Sequence, residues 1–474
     1  MSQESSLSAF AGNWLTPSDP GFKEAIHGGT WNELRPSRLP EIVARVTCDE
    51  DVIFAVNYAR EHGIKAVVRG GGHNWCCPSL RDGGLMIDLS RLTGIASLDA
   101  ENRRAVVHPI ISNRDLLQAL IPYQLAYPSG HCPEVKMSGY LLSGGMSWNH
   151  GVWGPGVGSI EAIEMVTADG KLVTASRDEN AELFWAARGA GPGFFAVALR
   201  YHLRLYHRPR AIASSSYTFP VEKVIKIAEW LGPLADELEP KVELSLFMIA
   251  APDSLAEQFD LRGGKVCMVT ATVFADSSEE AESALRPLEG CPYMGNCLSR
   301  SFAEPSTFEQ LFDASGALWP AKLRARVDAM LSNVKLSDVV ASVADHYVEC
   351  PSKETVLMYA VYTGGSAPAT PPDAAFSMTG KLYGGPWTMW RSPGEDASNI
   401  AWHTRCVELL LPLMHGHYIS ESDTVGHPEY VKSSYLGDSL SRIEELRRKY
   451  DPKGVFVGFQ DEGPATIEQI KAGE

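Results

Sequence analysis

The chain contains no unbroken apolar run of the ~18 or more residues that a membrane-spanning helix requires. Its first twenty residues carry neither a basic opening nor an apolar core, so no secretory signal is expected. Basic residues are outnumbered, 42 Lys and Arg against 58 Asp and Glu, which leaves a formal net charge of −16. That deficit argues against nucleic acid as a partner, because binding it needs a basic footprint. It argues equally against an anionic membrane surface. Cysteine is sparse and odd in number, nine thiols scattered from Cys48 to Cys406. They form no disulfide framework for a chain of this size, and a reducing cytoplasm is the expected compartment. CxxC and HExxH are missing, so no metal site is expected. GxxxxGK[ST] is missing too, which removes a P-loop nucleotidase. The glycine clusters that do occur fail the GxGxxG spacing of a Rossmann site.

What is present is a soluble, globular composition, and 474 residues predict about two or three domains. Residues 49–62 put Val52, Ile53, Val56 and Ala59 on one helical face, with Asp49 as the expected cap and Gly63 as the stop. IKAVVR then reads as a short buried strand running into Gly70, Gly71, Gly72 and His73. A glycine triplet alone is a tight turn. Its free backbone N–H groups are also able to turn towards an anion, with an imidazole beside them. Residues 84–111 have β-like alternation around a polar turn at 99–102, and Ser112 to Asp115 has the form of a capping box. A second glycine-rich and aromatic stretch covers 127–158. A hairpin follows around Asp169-Gly170, and then a third glycine loop, 189–193, leads into a strand.

Beyond Pro209 the texture changes. Strand-like ELSLFMIAA and KVCMVTATVF alternate with EEAESALRPL and PAKLRARVDAML, which read as helices. An α+β domain with an antiparallel sheet is expected there, with a loop over 364–375. The end, SLSRIEELRRKYDPKGVFV, is expected as a helix closed at Asp451-Pro452 and then a strand. One further motif, GDSL at Gly437 to Leu440, occurs around the nucleophile of some serine esterases. No histidine follows His427 to serve as base, so a hydrolase is rejected.

Four blocks in order carry a family resemblance: RGGGH; GHCPEVKMSGYLLSGG; VTADG with LFWAARGAGPGFF; and YLGD with KYDPKGVF. Together they resemble the FAD-linked oxidases of the vanillyl-alcohol oxidase superfamily, more narrowly the berberine-bridge-enzyme-like group. The resemblance implies a two-domain α+β fold of the PCMH type, with a substrate domain built on an antiparallel sheet covered by helices. The expected division is an FAD-binding part over 1–208, a substrate part over 209–410, and a segment over 411–474 returning to the first. It also implies covalent FAD, attached through its 8α-methyl to His73 and through C6 to Cys132. Around it, Arg69, Gly70, Gly71, Gly72, Asn74, Val135, Ser138, Gly139, Gly144, Gly145, His150 and Ile163 are implied to bind the cofactor. Trp148, Asn149 and Trp153 are further candidates to face cofactor or substrate. A small aliphatic residue at Val135 is associated in the family with access of O2.

Removing hydride from a substrate carbon requires a base for the accompanying proton. The family's candidate is the tyrosine of Y-x-N-x-x-D, here Tyr418 with Asp423, although Ser420 replaces the asparagine. His415, His417, Arg391 and His403 are candidate neighbours. Two other departures are Cys76-Cys77 after the first loop and Phe194 where the third loop usually has asparagine. The implied reaction is oxidation of a C–OH or C–N carbon of a small organic substrate, with O2 as acceptor giving H2O2. The acidic balance and Trp387, Trp390 and Trp402 point to a neutral or cationic substrate. A dehydrogenase using another acceptor and a non-redox cyclase are the alternatives, and the oligomeric state is left open.

Overall fold

The computed structural model describes residues 10–459, so the start of the stretch searched for a signal and the end of the expected C-terminal segment lie outside it. Strands β1 (Asn13–Leu15), β2 (Ile42–Arg45), β3 (Ala66–Arg69) and β4 (Leu85–Asp88) form a sheet in the order β1-β2-β4-β3. The β2, β4 and β3 pairings are parallel, so their carboxyl ends open in one direction, the usual place for a ligand loop. Helix α1 (Phe22–His27) precedes β2, and α2 (Asp49–His62) makes the crossover to β3 and buries Val52, Ala55, Val56 and Ala59. Asp49 does not cap it. Its carboxylate pairs with Arg200 instead, Cys48 stands at the N-cap, and the acidic first turn complements the helix dipole.

A second sheet, in the order β5-β6-β10-β8-β9, contains β5 (Ile95–Asp99), β6 (Arg104–Val107), β8 (Ile160–Thr167), β9 (Leu172–Ser176) and β10 (Ala196–Arg204). Its β8–β9 pair is the hairpin read around Asp169-Gly170. A two-stranded ribbon joins β7 (Leu125–Ala126) to β11 (Tyr206–His207). Helix α3 (Asn113–Leu120) starts at Ser112, whose hydroxyl accepts from the Asp115 backbone N–H at 3.0 Å, and α4 (Met137–Leu142) follows the second glycine-rich entry.

The third sheet is antiparallel in every pairing. It contains β12 (Ala211–Pro220), β13 (Val242–Ala250), β14 (Lys265–Ala275), β15 (Ser299–Ser306), β16 (Arg324–Val327), β17 (Met330–Ser332), β18 (Val356–Val361), β19 (Leu382–Trp390) and β20 (Gly416–His417). Helices α5 (Val224–Glu237), α6 (Ser278–Leu285), α7 (Leu336–Val348) and α8 (Asp396–Leu410) lie along this part of the chain. Alternate residues of β13 and β14, such as Leu244, Leu246, Val269 and Ala271, join the helices in one core. The intervening residues face the other way. Period-two alternation therefore gives the sheet one face for stability and one for a site.

Two further expectations change. PAKLRARVDAML is not a helix; it supplies β16 and β17, with Ala325 and Val327 buried and Arg324 and Arg326 outward to pair with Asp396 and Asp423. The return to the first part also comes later than 411, because β20 still pairs with β17. It is completed after α9 (Ser439–Tyr450), where the Ala66 N–H donates to Val455 O at 2.7 Å and the Val457 N–H to Ala66 O at 3.0 Å.

Arg69, at the end of β3, is 2% exposed and donates to Asp88 Oδ2 and to Ile26 O, each at 2.8 Å, and to Ala25 O. Burial alone pushes the Asp88 carboxyl up, but the Arg69 charge and hydrogen bonds from Arg69, Ser90 and Arg45 outweigh it and hold it low. Arg69→Gln leaves that carboxylate buried without its main counter-charge, an effect of ~3–5 kcal/mol. The variant is expected to melt well below the wild type at neutral pH. The difference is complete above the carboxyl's unfolded pKa near ~3.9 and shrinks as pH falls through its lower folded value, which thermal scans against pH will check.

Candidate active site

A cavity of about 1170 Å³ separates the inner face of the third sheet from the loops at the carboxyl ends of β3 and β4. It exceeds the ~300–1,000 Å³ of ordinary small-molecule pockets, which leaves room for a large cofactor together with a substrate. One wall comes from the glycine triplet, His73, Asn74 and the segment from Gly130 to Gly154. The opposite wall has a hydroxyl-bearing zone (Ser214, Ser216, Ser245, Thr270, Thr272) and an apolar one with Phe247, Met268, Met358, Trp319 and Trp387.

The triplet is a cradle that side chains would fill. A Cβ on Gly70 would lie 2.1 Å from Ser138 Oγ. One on Gly72, at φ +65°, would lie 1.5 Å from Gly29 O, so only glycine permits this approach. His73 follows, half-buried, its ring pressed beside Trp31 with centroids 5.4 Å apart. Burial lowers its pKa to about 4, which keeps the imidazole neutral and a ring nitrogen free to act as a nucleophile. Cys132 lies on the same cavity, its thiol pushed up to about 12, chiefly by burial. Ser138 Oγ, on this wall, is buried with no hydrogen-bond partner among the described residues. An orphaned hydroxyl beside a glycine cradle is a polar group arranged for a ligand.

A model of the FAD binding domain matches residues 40–176. Over 447 residues the chain is 27% identical to the FAD-linked oxidoreductase nodO of Hypoxylon pulicicidum, covering 94% of this chain and 96% of that one. It is 26% identical over 461 residues to (R)-6-hydroxynicotine oxidase of Paenarthrobacter nicotinovorans, covering 94% and 95%. Among solved structures, BBE-like 1 of Physcomitrella patens superposes with a TM-score of 0.81 at 20% identity, covering 97% and 98%. Residues 40–176 thus match an FAD-binding domain, and the chain is similar along nearly its whole length to FAD-linked oxidoreductases and shares the two-domain α+β fold of the PCMH type.

His73, Cys132, Val135, Ser138, Gly139, His150 and the glycine triplet meet on one cavity, as do Trp148 and Trp153. Four expected residues do not line it. Arg69 is consumed by Asp88 and the α1 carbonyls, and Ile163 is fully buried in β8. Gly144 and Gly145 serve close packing, where a Cβ would meet Phe376 at 2.3 Å and Tyr140 at 2.9 Å. Asn74 lines the cavity, yet its amide acts as a brace: Nδ2 donates to Ser420 O at 2.9 Å, and Oδ1 accepts from the Cys76 N–H at 3.1 Å. Burial pushes the Cys76 thiol up to about 12, as it does that of Cys132, and Cys77 up to about 11; the Cys76 thiol donates to Asn74 Oδ1 at 3.1 Å.

Tyr418 is buried and lines the cavity. Burial first, and then Glu421, push its phenol upward, while the backbone N–H groups of Gly145 and Met146 oppose that shift. Its expected neighbours lie elsewhere: His415 bonds Thr379 O, His417 bonds Ser433 and His403 bonds Asp328. Arg391 pairs with Glu354. Trp390 and Trp402 are packed away from the cavity, and only Trp387 of that stretch reaches it. The residue missed from sequence is Glu421, which lines the cavity and accepts a hydrogen bond from the Tyr383 hydroxyl. Its one sequence signal is an acid three places after Tyr418.

Gly70→Ala adds a methyl against Ser138 Oγ, on the wall of the cavity. The variant is expected to fold, by circular dichroism, and to purify with less than half the wild-type ratio of flavin to protein absorbance.

Proposed function

We propose that this protein is a flavin oxidase that takes hydride from a C–OH or C–N carbon of a small organic substrate and passes the electrons to O2, giving H2O2. The observation that supports this reading is one cavity in an FAD-linked oxidoreductase lined by His73, Cys132, Val135 and Tyr418 together. Two relatives agree with it in kind, one named an FAD-linked oxidoreductase and the other a hydroxynicotine oxidase. Bound FAD supplies the acceptor for the hydride that the substrate carbon loses.

The chain's own residues do the rest. The triplet N–H groups and the Ser138 hydroxyl hold the anionic and polar parts of the cofactor. His73 and Cys132 attach it at two points, which leaves the cavity free to stay wide without losing it. Residues of the part spanning about 209–410 cover the reacting end, and their apolar zone excludes water around the substrate. Val135, small and apolar, leaves a path for O2. Tyr418 orients the substrate's O–H or N–H through its hydroxyl, which the Gly145 and Met146 amides fix in place.

Acid-precipitated wild-type protein should remain yellow, and the His73→Ala, Cys132→Ala double variant should release all its FAD into the supernatant. A colourless wild-type pellet refutes the double attachment. A screen of alcohols, sugars and amines, 6-hydroxynicotine among them, coupled to peroxide detection, tests the oxidase. Flavin that bleaches anaerobically and recovers only slowly in air would indicate a dehydrogenase. Turnover with no bleaching would indicate a cyclase.

A further inference from the structure

We propose that Glu421 is the group that takes the substrate's proton, with Tyr383 positioning its carboxylate and Tyr418 acting as a hydroxyl donor; this rests on the oxidase reading above. Glu421, Tyr383 and Tyr418 form one cluster at the reacting end, and all three line the cavity. The Tyr383 hydroxyl donates to Glu421 Oε2, and the rings of Tyr383 and Tyr418 meet edge to face with centroids 5.8 Å apart. The loop that carries Glu421 is fixed by three hydrogen bonds, two to Ala329 and one to Asn74. The Ala329 N–H donates to Glu421 O at 3.0 Å, the Tyr418 N–H to Ala329 O at 2.9 Å, and Asn74 Nδ2 to Ser420 O.

Only one negative charge fits in such a cluster, because two anions at contact in a partly desolvated space repel strongly. An unperturbed carboxyl ionises near ~4.3 and a phenol near ~10, so the charge belongs to the carboxyl. Burial moves both groups upward and keeps that order. The charge on Glu421 in turn holds Tyr418 neutral. A phenol that keeps its proton donates a hydrogen bond but accepts no proton. The groups facing Glu421 are Tyr383 from β19, Tyr418 on its own loop, and His131 and Cys132 from the cofactor wall. Burial raises the carboxyl, while Tyr383 and His131 lower it by less. A base poised above the ordinary carboxylate range matches a proton leaving an alcohol or amine near neutral pH.

The step balances. The substrate carbon loses its hydrogen with two electrons to FAD, and the O–H or N–H proton goes to the Glu421 carboxylate. A C=O or C=N product and a neutral carboxylic acid remain, and the acid loses its proton to solvent before the next turnover.

The test begins without substrate, by infrared titration of the resting holoenzyme. The wild-type minus Glu421→Gln difference spectrum should show a protonated-carboxyl band that grows as pH falls, with a midpoint above ~4.3. The same difference band should be kept in the Tyr418→Phe background and shifted to higher pH in the Tyr383→Phe background, which loses the donor that stabilises the carboxylate. A band already complete at alkaline pH overturns the proposal. So does a tyrosinate ultraviolet band at neutral pH that disappears in Tyr418→Phe. With any substrate from the peroxide screen, Glu421→Gln should slow flavin bleaching ~100-fold or more and remove the acid limb of the kcat/KM profile. Tyr418→Phe should keep that limb. A fully active Glu421→Gln enzyme refutes this assignment and leaves the oxidase standing. A screen that yields no peroxide refutes the oxidase, and the infrared titration still judges Glu421.

Discussion

The buried ion pair between Arg69 and Asp88 fixes the point from which the rest of the site is built. Removing two charges from water is costly, and an apolar pair of similar volume would hold β3 and β4 together as well. What an apolar pair would lack is direction. The guanidinium binds Asp88 on the neighbouring strand and two carbonyls of α1 at once. The next peptide unit therefore has one way to leave the sheet. Gly70, Gly71 and Gly72 leave along it, with Gly72 against the Gly29 carbonyl and Gly70 against Ser138. The cradle is thus set by a residue whose own side chain never reaches the cavity.

The second constraint is the two-faced third sheet. Its helix side holds a closed apolar core, while its other side places Glu243, Ser245, Thr270 and Thr272 on the cavity beside Phe247 and Met268. A sheet of nine antiparallel strands carries this load because each strand is hydrogen-bonded along its length. Side chains on the open face are then free to be chosen for the ligand instead of for stability. The unpaired hydroxyl on the opposite wall follows the same logic. Ser138 Oγ lacks a partner among the described residues, a cost tolerated where a bound molecule supplies the bond.

Local signals were legible in the sequence and long-range ones were not. Helix α2, the hairpin at Asp169-Gly170 and the Ser112 cap each depend on residues a few places apart, and each was readable. PAKLRARVDAML reads as a helix because Ala, Lys, Leu and Arg are good helix formers. The alternation of Arg324 and Arg326 with Ala325 and Val327 spans only four residues, too few to outweigh that propensity before Asp396 and Asp423 are known to wait outside. The motif blocks pointed to the cavity wall that holds the cofactor. They were silent on Glu421, whose chemistry depends on Tyr383, a partner 38 positions away.

That distance has a consequence for how the site is assembled. Asn74, next to His73, reaches 346 positions along the chain to Ser420. Asp328 and Ala329, at the turn between β16 and β17, hold Asp423, Tyr418 and Ser422. The reacting end therefore exists only when the cofactor wall and the third sheet are already docked, and contacts of such separation form late in folding. The same bonds run in both directions. Whatever orders the His73 loop also orders the loop of Tyr418 and Glu421, through the Asn74 amide and the Cys76 thiol, which donates to Ser422 O at 3.8 Å. Holding the cofactor and readying the proton acceptor are accordingly parts of one structural event.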